Sequence, residues 1–286
     1  MERASRFYAE AFHAAIVATG ETKRGRGTRH LFDGGVATTV RYAHLAFDGG
    51  AGVVLFEFDP SVAVPVAEQT RDRLMHFGIG VDDVPTSLAR VEAAGGRRCF
   101  DPRDDGWGPY LFLKDPDGHV IELMEGPFER LLQRFFGRDE ATTKPPLEKA
   151  VLHHIAIRVA DNGAAVARYR AAFDATDHGV VPVPSELAEL FFEGPRGTAV
   201  DVAVLGLPGG VGCELFTFSR PEKPLGQSVQ SHDAVMHLGL EVDDLDAVGA
   251  AISRGGAGHS TPTSTERLDR SHSMRTPRGT QSSLRR

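Results

Sequence analysis

Large apolar side chains alternate with small or polar ones along His76-Phe-Gly-Ile-Gly-Val81, and again along His154-Ile-Ala-Ile-Arg-Val159. Period-two alternation is the mark of a half-buried strand. An Asp-containing cap and a helical stretch follow each strand. In the first case VDDVPTSLARVEAAGG runs to Gly95, a residue suited to the C′ position of a helix. Three more strand-like segments then close on LFEF, HVIELME or CELFTF. The predicted unit is βαβββ, about 50–60 residues long and repeated four times. A unit that small cannot bury both faces of its sheet alone, so units should join in pairs, edge to edge, in an α+β architecture.

The repeat is visible in the letters themselves. HFGIGVDDV at 76–84 returns as HLGLEVDDL at 237–245, FYAEAF at 7–12 as RYRAAF at 168–173, and GVVLFEF at 52–58 as VGCELFTF at 211–218. Two halves follow, 1–125 and 151–286. Between them, residues 126–150 hold FERLLQRFF, a short amphipathic helix, and TTKPPLEK, a Pro-interrupted polar linker. The Gly-rich stretches at 49–52 and 207–212 read as hairpin turns, since no Lys-Ser/Thr follows either as a phosphate loop requires.

Composition narrows the class. Apolar residues make up 41% and charged residues 25% of 286 positions, as in an ordinary soluble globular protein, and there is no apolar run near 18 residues to suggest a membrane span. The first twenty residues lack the basic-then-apolar order of a signal peptide. Two cysteines make neither a disulfide framework nor a zinc knuckle, so a cytoplasmic location is expected. The formal charge of −7 is uneven: residues 257–286 carry six Arg against Glu266 and Asp269, net +4, leaving −11 on 1–256. That tail has four apolar residues among thirty and cannot offset its ordering entropy by burial. Nucleic acid is not the expected partner of a chain without a basic stripe.

The same alternation assigns faces. Val120, Glu122 and Met124 share one face of the closing strand, with Ile121 and Leu123 on the other. Val53, Leu55 and Glu57 share a face, as do Glu214, Phe216 and Phe218; His76 lies with Gly78 and Gly80, and His154 with Ala156 and Arg158. A lone ionisable group on a half-buried strand is unfavourable unless paired or ligated. One such residue is usually a hydrogen-bonded core group, but the same type at the same place in both halves points to a divalent-ion site with N and O ligands. Smaller expectations concern His153, facing solvent or the flanking helix, and Trp107, covering a pocket or simply packing. His44 reads as a surface residue of its strand or as one facing the cup, and Arg158 as an anion anchor or the partner of Glu214.

These motifs resemble the vicinal oxygen chelate superfamily of glyoxalases, bleomycin resistance proteins and extradiol dioxygenases. HFGIGVDDV, KDPDGHVIELME (114–125), HHIAIRVAD (153–161) and HLGLEVDDL carry the likeness over about 1–125 and 151–256. The resemblance implies four βαβββ modules paired into two cupped mixed sheets. It also implies a divalent metal (nickel, zinc, cobalt, manganese or iron) held by residues on the first and last strands of each module in a pair. Carried over by position, the first half offers Glu57, His76 and Glu122, and the second His154, Glu214 and His237. The implied chemistry is that of a glyoxalase-like lyase or isomerase acting on a small oxygenated substrate, by carbonyl polarisation and proton transfer with Glu122 as base. Acidic residues at both Glu57 and Glu214 favour this over ring-cleaving dioxygenation, which uses two His and one carboxylate. A metal-free binding or resistance protein is the third reading. Two departures are expected to leave the outer modules incomplete. The chain opens inside its first helix without the opening strand, and TPRGTQSSL (276–284) sets Ser283 where DPDGHVIEL (115–123) has Glu122. An incomplete edge is open to pairing with a second copy of the chain.

Overall fold

The computed structural model describes residues 1–23, 39–59, 74–137, 147–192, 197–219, 238–240, 242 and 244–254. Helix α1 (Glu2–Phe12) leads into β1 (Ala15–Lys23), β2 (Thr39–Ala46) and β3 (Gly52–Asp59), an antiparallel sheet in that order. The next module is β4 (Leu74–Val81), α2 (Val84–Ala93), β5 (Arg97–Arg98), β6 (Tyr110–Lys114) and β7 (Val120–Glu125). Helix α3 (Phe128–Phe136) leads to a third module, made of β8 (Val151–Arg158), α4 (Asn162–Phe173), β9 (Thr176–Val183), α5 (Ser185–Phe192), β10 (Val200–Gly206) and β11 (Gly212–Phe218). Helix α6 (Leu245–Arg254) is the last described element. The expected α+β architecture of joined modules is present.

Local chemistry places these elements where the sequence suggested. Asp83 caps α2 by accepting the Thr86 amide at 2.7 Å, and Asp161 caps α4 through Ala164 at 2.8 Å. The DPDGH turn between β6 and β7 is held by Asp115, whose Oδ1 accepts the amides of Asp117 and His119, both at 2.9 Å. Its other oxygen takes Tyr8 Oη and His119 Nδ1, each at 2.9 Å, which ties α1 to the turn.

Eight strands form one sheet in the order β5-β6-β7-β4-β8-β11-β10-β9. Each module contributes four neighbours, and the two sets meet where β4 pairs antiparallel with β8. Within each module the first strand runs parallel to the last, β4 with β7 and β8 with β11. The joint has near two-fold register about Phe77 and Ile155: His76 opposes Ala156, and Gly78 opposes His154. The joined modules thus come one from each half of the chain. Among the described residues the β1–β3 sheet offers β4 no strand, and β8 does, with a matching pattern of ring and small residue.

Alternation along these strands sorts side chains as expected. Phe77, Ile79, Ile121, Leu123 and Leu215 join the core beneath α1 and α2, while Val120, Met124 and Phe216 face the other way. That second face has its own cover. Helices α3 and α5 lay Phe128, Leu131, Phe191 and Phe192 over it, each fully buried aromatic contributing about 1.5–3 kcal/mol. Helix α5 is absent from the sequence expectation, which ran three strands in succession here. Its signal was available in SELAELFF, where Leu187, Ala188, Phe191 and Phe192 recur at helical spacing.

Gly78 is where the two modules touch most closely. A Cβ there would lie 2.3 Å from Cε1 and 2.4 Å from Nδ1 of His154, a ring with no exposure and no room to swing aside. Gly78→Ala is expected to lower stability by about 1–3 kcal/mol, as overpacking of a closed core does. Urea denaturation of the variant measures this. Wild-type stability would contradict the β4–β8 joint.

Candidate metal centre

The four central strands, β7, β4, β8 and β11, carry Glu122, His76, His154 and Glu214. All four side chains are buried, and one ligand atom from each lies within 4.8 Å of the others. Glu122 Oε2 is 3.3 Å from His76 Nε2 and 3.2 Å from His154 Nε2, whereas Glu214 Oε2 approaches His154 Nε2 only to 3.8 Å. The cluster is therefore anchored on Glu122 and looser at Glu214.

The electrostatics follow the geometry. Burial pushes the Glu122 carboxyl up, but hydrogen bonds from His154 and His76 outweigh it and hold the carboxyl well below its usual range. Burial pushes Glu214 up to about 7, with His154 opposing and the Glu122 charge reinforcing. Burial works against charge on His154, yet Glu214 and Glu122 outweigh it and raise its pKa. Burial dominates at His76 and lowers its pKa.

His153 is part of the same network. The ring packs edge-on against Phe128 of α3, so of the two expected surroundings it takes the flanking helix. Its Nδ1 lies 2.8 Å from Nδ1 of His154, and its ring also donates to the Pro127 carbonyl. Burial, then the neighbouring His154, keep His153 well below the usual histidine range and so neutral. A neutral imidazole has one N–H; with that proton on the carbonyl, Nδ1 is an acceptor and His154 must donate from its own Nδ1. That leaves Nε2 of His154 as the atom aimed into the cluster, 3.2 Å from Glu122 Oε2.

Two imidazole nitrogens and two carboxylates suit a divalent first-row ion, and the donor set fits one. Of the residues expected to hold metal, four meet here. Glu57 does not: on β3, in the other sheet, it pairs with the Met1 ammonium and the Arg41 guanidinium, which with the ammonium foremost lower its pKa. His237 lies outside the described residues, as does Ser283. Arg158 is buried with its guanidinium 5.8 Å above the Phe218 ring, and His44 packs edge-on against Tyr42 on β2. Trp107 lines a pocket whose floor bears Glu122 and Glu214.

A sheet of joined βαβββ modules with a buried two-imidazole, two-carboxylate cluster on its central strands defines the vicinal oxygen chelate class. The comparisons agree. Residues 1–124 match the glyoxalase-like domain family, and residues 153–269 the glyoxalase/bleomycin resistance protein/dioxygenase superfamily. The chain belongs to this superfamily and carries two of its domains in tandem. A probable lactoylglutathione lyase of Vibrio parahaemolyticus is 28% identical over 127 residues, 44% of this chain and 82% of that protein. A chloroplastic probable lactoylglutathione lyase of Arabidopsis thaliana is 44% identical over 55 residues, 18% of this chain and 16% of that one. The crystal structure of glyoxalase I from Zea mays superposes with a TM-score of 0.53 at 17% identity, over 89% of this chain and 74% of that chain, a likeness of fold.

The His153 contact makes a measurable difference. Metal affinity, read by competition with a chromophoric chelator, is expected to fall about 10–100-fold in His153→Leu, as loss of a partner that orients a ligand does. His153→Gln, whose amide oxygen can accept the His154 proton, should restore much of it. Unchanged affinity in His153→Leu would show that His154 needs no such partner.

Proposed function

We propose that the protein is a divalent-metal-dependent lyase or isomerase of the glyoxalase type, acting on a small oxygenated substrate at the His76–Glu122–His154–Glu214 cluster. The observation that supports this most is the convergence of two imidazoles and two carboxylates within 4.8 Å, at the floor of a pocket. Support also comes from relatives named as lactoylglutathione lyases. His76, Glu122 and His154 would hold the ion, with Glu214 as the fourth ligand. A divalent ion at this place supplies Lewis-acid polarisation of a carbonyl oxygen, which acidifies the adjacent C–H.

The chain's residues supply the rest. Glu122, fixed by both imidazoles, stays ionised and anchors the centre. Glu214 touches one imidazole at a longer distance, and burial pushes its carboxyl up to about 7 before any ion is bound. It is suited to take a proton from one carbon and return it to the neighbouring one. The sequence expectation gave that role to Glu122; the closer grip on Glu122 is the reason for moving it. A ring-cleaving dioxygenase would call for two His and one carboxylate, and Glu214 in the fourth place speaks against it.

Conversion of hemithioacetals of phenylglyoxal, formed with glutathione or with 2-mercaptoethanol, to the corresponding thioesters tests the proposal by absorbance on metal-reconstituted protein. Glu214→Gln should lower kcat by about 10²–10⁴-fold while metal content stays near wild type. Glu122→Gln should lose metal and activity together. A Glu214→Gln protein with full kcat would remove Glu214 as the base, and loaded protein inert to both hemithioacetals would contradict this lyase reading.

A further inference from the structure

Between the sheet and helices α3 and α5 lies a pocket open at one end. Its wall is aromatic: Trp107, Phe112, Phe135, Phe191, Phe192 and Phe216 line it above the two carboxylates. The rings already meet one another at steep angles. Trp107 stands 5.4 Å from Phe135 at 66°, Phe192 5.3 Å from Phe216 at 70°, and Phe112 5.2 Å from Phe191 at 49°. The rest of the described lining is aliphatic, and its charged side chains are Glu122 and Glu214.

The two ends of this cavity recognise different things. The floor offers ligands to an ion and, through it, to adjacent oxygens of a substrate. The wall offers apolar surface and ring edges, which favour another flat ring by burial and by edge-to-face contact. A glutathione adduct carries two carboxylates and an ammonium away from its reacting carbonyl, and such groups lose hydration against an aromatic wall with nothing in return. The wall is also built by parts that the module repeat does not dictate. Helix α5, inserted between β9 and β10, brings Phe191 and Phe192, the loop before β6 brings Trp107, and α3 brings Phe135.

Resting on the metal reading above, we infer that the site selects substrates whose chelating oxygens are attached to an aromatic ring or a similarly flat apolar group, rather than to a charged peptide thiol. The discrimination lies in α3, α5 and the Trp107 loop, and the chelation in the four central strands.

Two hydroxamates with the same chelating head separate the two ends. Benzohydroxamate carries a ring and acetohydroxamate a methyl group. Trp107, the chain's single tryptophan, reports occupancy of the wall by its fluorescence. On zinc-loaded protein, benzohydroxamate is expected to bind on the order of 10–100-fold more tightly than acetohydroxamate, and to change Trp107 emission. Phe135→Ala, at a half-buried position, should shrink this preference severalfold, with metal content and the unfolding midpoint read in the same samples. S-methylglutathione should compete poorly. Equal affinity for the two hydroxamates, or strong competition by S-methylglutathione, overturns the inference and leaves the metal reading standing. Binding of neither hydroxamate to loaded protein contradicts chelation of a substrate at the ion, and overturns this inference with it.

Discussion

Two carboxylates and two imidazoles buried together in the middle of a sheet are the constraint on which this structure turns. Moving an ionised carboxylate out of water costs several kcal/mol even after relaxation, and Glu122 and Glu214 also repel each other. The metal-free chain meets the constraint by sharing protons. Glu122 stays ionised against its two imidazoles, and Glu214 keeps a proton up to about neutral pH. Because the folded chain holds that proton more tightly than the unfolded one, the stability it brings is fully present below the ordinary glutamate range. That stability is lost as pH rises through about 7. A divalent cation there would take the place of the shared proton as partner to both carboxylates, with His76, Glu122, His154 and Glu214 as the residues that would hold it.

The sheet order explains how four distant residues come together. First and last strands of each module lie side by side, and the two first strands meet at the joint, so β7, β4, β8 and β11 are contiguous. Neighbouring strands are about 4.8 Å apart, so β7 and β11 stand about 14 Å from each other, and it is the reach of the His and Glu side chains that brings one donor atom from each strand within 4.8 Å of the others. Small residues make the room: Ala156 opposes His76, and Gly78 opposes His154. Cover on both faces then removes water, by α1 and α2 on one side and α3 and α5 on the other. The same α3 supplies Pro127 and Phe128 at its start to hold His153, so the helix that roofs the pocket also positions the ring that meets His154.

Much of this was legible in the letters because strands write their faces with period two. His76, Glu122, His154 and Glu214 stand out as ionisable residues among apolar or small ones, and each lies on the face that alternation assigns. What alternation does not carry is which module joins which. That depends on the strand edge available to β4, and the reading by halves sent Glu57 toward the same ion when β3 belongs to another sheet. His153 was hidden for a related reason. Its neighbour His154 was taken to face the opposite way, yet a ring can reach around the strand and meet its neighbour through Nδ1. Helix α5 was missed because a repeat of β-modules was extended over a segment whose own spacing is helical.

The central claim is that one ion is held jointly by both halves of the chain. Metal content per chain, measured on protein purified without chelators and then reloaded, tests it most directly when made on wild type, Glu122→Ala, His154→Ala and Glu57→Ala. The account predicts one ion per chain, lost in the Glu122 and His154 variants alike and retained in Glu57→Ala. Two ions per chain, an ion that survives removal of either Glu122 or His154, or wild-type protein that takes up none of nickel, zinc, cobalt, manganese or iron, would contradict it.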